Sequence, residues 1–171
     1  MNFAAFERAQ VAAFAYREAR FTGSLDCMRA VCFVLRNRVK SSWAGGSWLA
    51  VLEAAHLTAA DHGVADSAEL STGSGLNGAG VASDRLLQRI VRDVDDIYLG
   101  SESYDDPVRI VVCGQPDSGN MKLASTKKDW KPALYYSFVD RPPRPWFVEN
   151  IIRRAEEHPQ MGQIGKMMLY R

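Results

Sequence analysis

The alternation of apolar and polar positions is most regular between residues 11 and 39, VAAFAYREARFTGSLDCMRAVCFVLRNRV. Taken at 3.6 residues per turn, it predicts a helix, a break at Phe21-Thr22-Gly23, and a second helix over residues 24–40. The second helix carries an apolar stripe of Leu25, Met28, Val31 or Cys32, Leu35 and Val39. Ser24 suits its N-cap, and Asp26 in the first turn suits its dipole. The first helix takes up residues 3–20, rich in Ala and Phe. Residues 41–46 form a turn, and Ser47 caps a third helix whose inner face is Trp48, Val51, Leu52 and Ala55, ending within 56–60.

From 61 to 83 the periodicity stops and small polar residues dominate, which predicts a long loop. Ser83 then caps a fourth helix over 84–99. There Leu86, Ile90, Val94 and Ile97 point inward, and Arg85, Arg89, Arg92, Asp93, Asp95 and Asp96 outward; Gly100 ends it. Residues 107–113 (PVRIVVC) predict a β-branched strand, 115–130 a polar loop, and 133–139 a second strand. Pro142, Pro143 and Pro145 stiffen the next connection, and Pro145 suits the first position of a helix running to Glu157. Residues 161–170 contain a final strand. The expected fold class is α+β: one mainly helical domain over 1–171, with a small β-sheet late in the chain and the 61–83 loop inside it.

Composition narrows the function classes. The chain has 171 residues, 47% hydrophobic and 24% charged, enough for one domain with a real core. A net charge of +1 gives no field that would draw it to nucleic acid, and no apolar run reaches a membrane span. Glu7, Arg8 and Gln10 interrupt the N-terminal apolar residues, so no signal peptide is read there. Cys27 and Cys32 lie about 140° apart around one helix, and Cys113 is remote. Three reduced, buried thiols, in a protein made in the cytoplasm, is the expectation.

Several motifs offer chemistry and carry little. Residues 73–78 spell G-x-G-x-x-G, but no strand precedes them and the next helix starts too late for a dinucleotide site. His56 and His62, with Asp61 and Asp66, match no zinc spacing, so no metal or other cofactor is expected. The Arg-Pro-Pro-Arg-Pro run at 141–145 reads as a rigid connector rather than a ligand for another protein. Glu18 is different. It closes the first helix where the chain turns, and packing of two helices would hold its carboxyl against a rigid wall, as a general acid needs.

Around Glu18 the residues also carry a resemblance. Tyr16-Arg17-Glu18-Ala19-Arg20, Arg29-Ala30-Val31 and Asn37-Arg38-Val39 resemble the start of the SleB-type cell wall hydrolase domain, which reads (Y)xEAR, a turn, a helix with AV, then NRV. Residues 133–136, Pro145-Trp146-Phe147, His158-Pro159 and residues 164–170 resemble its later segments. The family comprises spore-cortex-lytic and related enzymes that cut the glycan strand of peptidoglycan. The chain departs from the pattern where Cys27 replaces a common Gly and Arg36 a usual apolar residue. No Gln-Phe-Ser follows Val39, and Met167-Met168 stand where a His precedes an aromatic pair.

The resemblance implies a lysozyme- or lytic-transglycosylase-like fold and peptidoglycan glycan strands as the partner. It implies Glu18 as the general acid that protonates the glycosidic oxygen. No second carboxylate is singled out among Asp26, Glu53, Asp61, Asp66 and Glu69. That suits lytic transglycosylase chemistry, in which the muramic acid 6-hydroxyl attacks; hydrolysis stays open. Tyr135, Tyr136 and Trp146 are candidates to stack on sugar rings, or else core residues; Tyr170 is a weaker case. Asn37 either contacts substrate or bridges the end of the second helix. A catalytically inactive wall-binding or assembly-associated module of the same fold is the alternative. Reaching the wall would require release by lysis, a phage-derived origin or delivery by other machinery.

Overall fold

Ser24 starts the helix that the first part of the molecule is built around. Its side chain accepts a hydrogen bond from the Cys27 backbone N–H at 3.3 Å, and α2 runs Leu25–Lys40 from there. The computed structural model describes residues 3–60, 85–100, 108 and 132–171. It divides into two units, Met1–Ser103 and Tyr104–Arg171. The architecture is α+β, mainly helical with a three-stranded antiparallel sheet.

In the first unit, α1 (Phe3–Ala19), α3 (Trp48–Ala60) and α4 (Arg85–Leu99) all pack on α2. This is why the predicted stripe on α2 is too narrow. Cys27, Met28, Ala30, Val31, Cys32, Phe33, Val34 and Leu35 are all 0% exposed, while Leu25 and Val39 at its margins are half-buried. A helix apolar on most of its surface is a central helix. The cap that starts it contributes measurably. Ser24→Ala is expected to cost about 1 kcal/mol, seen as a lower urea midpoint with an unchanged denaturant slope.

Burial also fixes the thiols. Cys27 and Cys32 are free and buried; Cys113 lies outside the described residues. Burial pushes the Cys32 thiol's pKa far up, with the nearby Asp93 carboxylate adding to it. A raised folded-state pKa gives stability that is fully present below the unfolded thiol's pKa, about 8.5. It is lost as pH rises above that value, at up to about 1.4 kcal/mol per pH unit. Urea midpoints between pH 8 and pH 10 are therefore expected to fall more steeply for the wild type than for Cys32→Ala.

The α3 helix begins as predicted, with the Ala50 N–H donating to the Ser47 hydroxyl at 3.2 Å, and it buries Val51, Leu52 and Ala55. In α4, Leu87, Ile90, Val94 and Ile97 are buried, with Leu86 at the margin. Gly100 closes it at φ +70°, its N–H reaching the Ile97 carbonyl. Asp93 does not point outward as expected. It is 8% exposed, and the Arg29 Nε of α2 donates to its Oδ2 at 2.7 Å. The spacing Ile90, Asp93, Val94, Ile97 shows why: Asp93 sits inside the apolar stripe, and its charge is met by Arg29.

Arg36 also has a structural part. Its guanidinium lies 4.4 Å from the Phe33 ring centroid and donates to the Ile97 carbonyl at the end of α4 at 3.3 Å. Charge near a helix C-terminus is favourable in this sense. A further clasp joins α1, α3 and α4. The Tyr98 hydroxyl donates to Glu7 at 2.5 Å, Trp48 stacks on Tyr98 at 5.0 Å, and Arg8 pairs with Asp95 at 2.8 Å.

In the second unit, β1 (Tyr135–Phe138), β2 (Gln160–Ile164) and β3 (Met167–Tyr170) form a sheet in the order β1-β3-β2. The expected strand within 161–170 is thus two strands joined by a tight turn at Gly165-Lys166, with Gly165 at φ +53°. Tyr135 pairs with Tyr170 and Ser137 with Met168, so these four share one face. Tyr135, Met168 and Tyr170 pack there with Phe147 and Ile151. The other face carries Phe138, Ile164, Met167 and Leu169, all buried.

Pro145 does open a helix, but α5 (Pro145–Phe147) gives way to a widened, π-type turn over Val148–Ile152 instead of continuing to Glu157. The Arg153 N–H closes that turn on the Val148 carbonyl at 2.8 Å. Of the predicted strand 107–113 only Val108 is described; it is buried and its backbone is helical rather than extended. The expected loops 61–83 and 115–130, the G-x-G-x-x-G run, Ser83, His62 and Cys113 lie outside the described residues.

Candidate functional site

Glu18 occupies the last turn of α1 and is half-buried, followed by fully buried Ala19. The chain then makes a 3-10 turn over Arg20–Thr22, and Gly23 takes a left-handed conformation at φ +66°. Residues with a Cβ pay for that conformation, which is why Gly stands there. The Thr22 hydroxyl donates to the Ala19 carbonyl at 2.7 Å and accepts from the Ser24 N–H at 3.1 Å. One side chain therefore satisfies the end of α1 and ties it to the N-cap of α2. This bracing, plus the Gly23 N–H to the Arg20 carbonyl at 3.1 Å, fixes the backbone beside Glu18. Arg20 reaches back over the Tyr16 ring, 5.9 Å from its centroid.

Thr22 braces this turn, which the apolar pattern does not reveal. Its signal was local: a Thr just past a helix end and two residues before a Ser cap is the residue type that bonds back to backbone.

Asn37 lies far along α2, about 18 Å of helix rise from Leu25. It is only 3% exposed, and its backbone carbonyl accepts the Ser41 N–H at 2.9 Å. The neighbouring Arg38 guanidinium stacks over Trp43, 4.6 Å from the ring centroid. Asn37 and Glu18 therefore sit towards opposite ends of α2.

The three aromatic candidates belong to the second unit. Tyr135 and Tyr136 point to opposite faces of the sheet, as neighbours on a strand must. Tyr135 packs on the Phe147–Ile151–Tyr170 cluster and meets His158 edge-on at 5.1 Å. Tyr136 stands half-buried, edge-on to Phe138. Trp146 alone of the three is well exposed, at 50%. Tyr170 is buried, its hydroxyl 3.3 Å from the Ser137 hydroxyl. The His158 Nδ1 lies 2.8 Å from the Arg171 carbonyl, which holds the strand end and gives the imidazole a structural task.

A second carboxylate for Glu18 would have to come from one of the chain's other acids. Glu7 shares its helix, but eleven residues of rise separate them by about 16 Å, beyond the roughly 5–9.5 Å between glycosidase carboxyls. Asp26 is exposed and pairs with Arg29 at 3.3 Å. Glu53 is exposed on α3. Asp61, Asp66 and Glu69 lie outside the described residues. No group of three or more His, Cys, Asp or Glu among the described residues could hold a metal ion. No described helix is long and apolar enough to cross a membrane.

Compared with protein-family models, with curated proteins and with solved structures, the chain matches none.

Proposed function

We propose that this protein cleaves the glycan strand of peptidoglycan as a lytic transglycosylase, with Glu18 as its general acid and base. The observation that carries the reading is the setting of Glu18. It is a half-buried carboxyl on the last turn of α1, beside a turn braced by Thr22 and Gly23, within the Glu-Ala-Arg sequence that resembles the hydrolase family. A side chain held by packed helices rather than by a loose loop suits acid catalysis, where small displacements are costly. A lysozyme-like fold belongs to the same proposal.

The chemistry needs one carboxyl. Glu18 protonates the glycosidic oxygen as its bond to C1 breaks. The muramyl 6-hydroxyl then attacks C1 and gives its proton to the Glu18 carboxylate. One strand leaves with a 1,6-anhydro end and the other with a free hydroxyl. The about 16 Å of helix rise between Glu7 and Glu18 supports this route over one in which Glu7 is the second carboxylate. Among the candidate sugar contacts, Trp146 is favoured by its exposure, with Tyr136 and Tyr135 secondary. Asn37 is buried and is not a sugar contact in this reading.

Digestion of purified sacculi with mass analysis of the soluble products tests the proposal. Anhydro-muropeptides are the expected product. Reducing ends would replace transglycosylation by hydrolysis. No release across several pH values, from sacculi and from strands stripped of peptide, would overturn the enzyme reading and leave an inactive wall-binding module.

A further inference from the structure

Trp146 is exposed for a reason built into the second unit. Phe147, next to it, is buried with Ile151 and Tyr170, and this fixes the helix phase so that Trp146 turns outward. The backbone on either side is held. The Val148 N–H donates to the Arg144 carbonyl at 2.9 Å, and the Asn150 amide donates to the Trp146 carbonyl at 2.9 Å. Upstream, Arg144 adopts φ −73° and ψ 158°, which is polyproline II geometry, and Pro145 takes the first helical position. Arg141, Pro142, Pro143 and Pro145 are exposed. Residues that precede proline are restricted to extended backbone, and polyproline II repeats every three residues. Arg141, exposed, and Arg144, half-buried, flank Pro142-Pro143, and Arg144 stands two residues before the exposed indole.

We infer that this Arg-Pro-Pro-Arg-Pro-Trp segment recognises a carboxylate-bearing glycan: Trp146 offers its flat face to a pyranose ring, and Arg141 and Arg144 take up carboxylates on the strand. The inference rests on the proposed peptidoglycan substrate and assigns what the second unit adds to it. A planar guanidinium matches a carboxylate with two parallel hydrogen bonds, whereas a neutral polysaccharide gives it no such partner. Three prolines pre-set the backbone, so little conformational freedom is lost on binding. The strand can supply carboxylates from its peptide stems or, where a stem has been removed, from the lactyl group of muramic acid. Both present the same chemistry to arginine.

The test is binding, measured with the full chain carrying Glu18→Gln so that strands are held and not cut. The probes are purified sacculi, strands stripped of their peptides, and chitin as a neutral polymer of similar linkage. Trp146→Ala is expected to weaken binding to all three by about tenfold or more. The double variant Arg141→Ala/Arg144→Ala is expected to weaken binding to the acidic strands by about tenfold, to remove most of its salt dependence, and to leave chitin binding as it was. Loss on sacculi alone means that only the stem carboxylates are taken; loss on stripped strands as well means that the lactyl carboxylates freed by removal of the stems are taken too. A double variant with the parent's affinity and salt dependence on both acidic probes overturns the inference, as does a Trp146→Ala protein that binds like its parent. Matching melting temperatures show that the variants are folded. Arginine-dependent binding by a wild type that releases no fragments would overturn the cleavage reading alone. Cleavage by a protein whose binding ignores these substitutions would overturn this inference alone.

Discussion

Glu18→Gln is expected to slow release of soluble fragments from purified sacculi by about 10²–10⁴-fold, the usual contribution of a positioned general acid. Glutamine keeps the size and most of the hydrogen-bonding capacity of the carboxyl, but it has no acidic proton for the leaving oxygen. The half-buried position and the braced turn that follows are preserved, so the melting temperature should barely move. The comparison variant is Glu7→Gln. It sits on the same helix about 16 Å away and replaces the charged acceptor of the Tyr98 hydroxyl by a neutral amide oxygen without touching the proposed chemistry. Its expected result is a small loss of stability and a release rate close to wild type. Rates measured on matched amounts of folded protein separate the two effects. A Glu18→Gln protein that releases fragments at the wild-type rate would move the acid elsewhere in the chain.

Local chemistry made much of the first unit legible in the sequence. A Ser cap, a Gly in left-handed conformation and an interrupted helical period all act within a few residues, and the α1–turn–α2 hairpin follows from them. What the sequence hid depended on contacts between distant segments. The apolar stripe of α2 was identified, but Phe33, Val34 and Ala30 lie off it. Their burial follows only when three other helices pack around the same axis. The charge of Asp93 points to the outside, although its spacing from Ile90 and Val94 places it within; its partner Arg29 lies on another helix.

In the second unit the Gly165-Lys166 turn is a hairpin signal inside a stretch whose apolar residues read as one strand. The position of Glu18 at the end of its helix was legible. The outward aim of Trp146 was not, since it is fixed by where Phe147 and Ile151 meet Tyr170.

Asp93→Ala is expected to destabilise the protein by about 3 kcal/mol, because it leaves the Arg29 guanidinium without the carboxylate it meets between α2 and α4. The pair is 2.7 Å apart with side chains only 14% and 11% exposed, so solvent replaces little of what is lost. Arg29 would retain Asp26, but that carboxylate is 63% exposed at 3.3 Å, and exposed pairs contribute little. Arg29→Ala should cost a similar amount, since Asp93 would be left with Arg89 at 3.9 Å, whose side chain is 57% exposed. For a chain of this size the loss corresponds to a fall in melting temperature of about 6–12 °C. Replacing both, Arg29→Met with Asp93→Leu, should recover most of it, because apolar packing can stand in for a buried ion pair once neither charge is stranded. Thermal melts of the two single variants and the double variant form the cycle. A single-variant loss below about 1 kcal/mol would mean that the apolar faces of α2 and α4 hold the helices by themselves and that the pair only fixes their register.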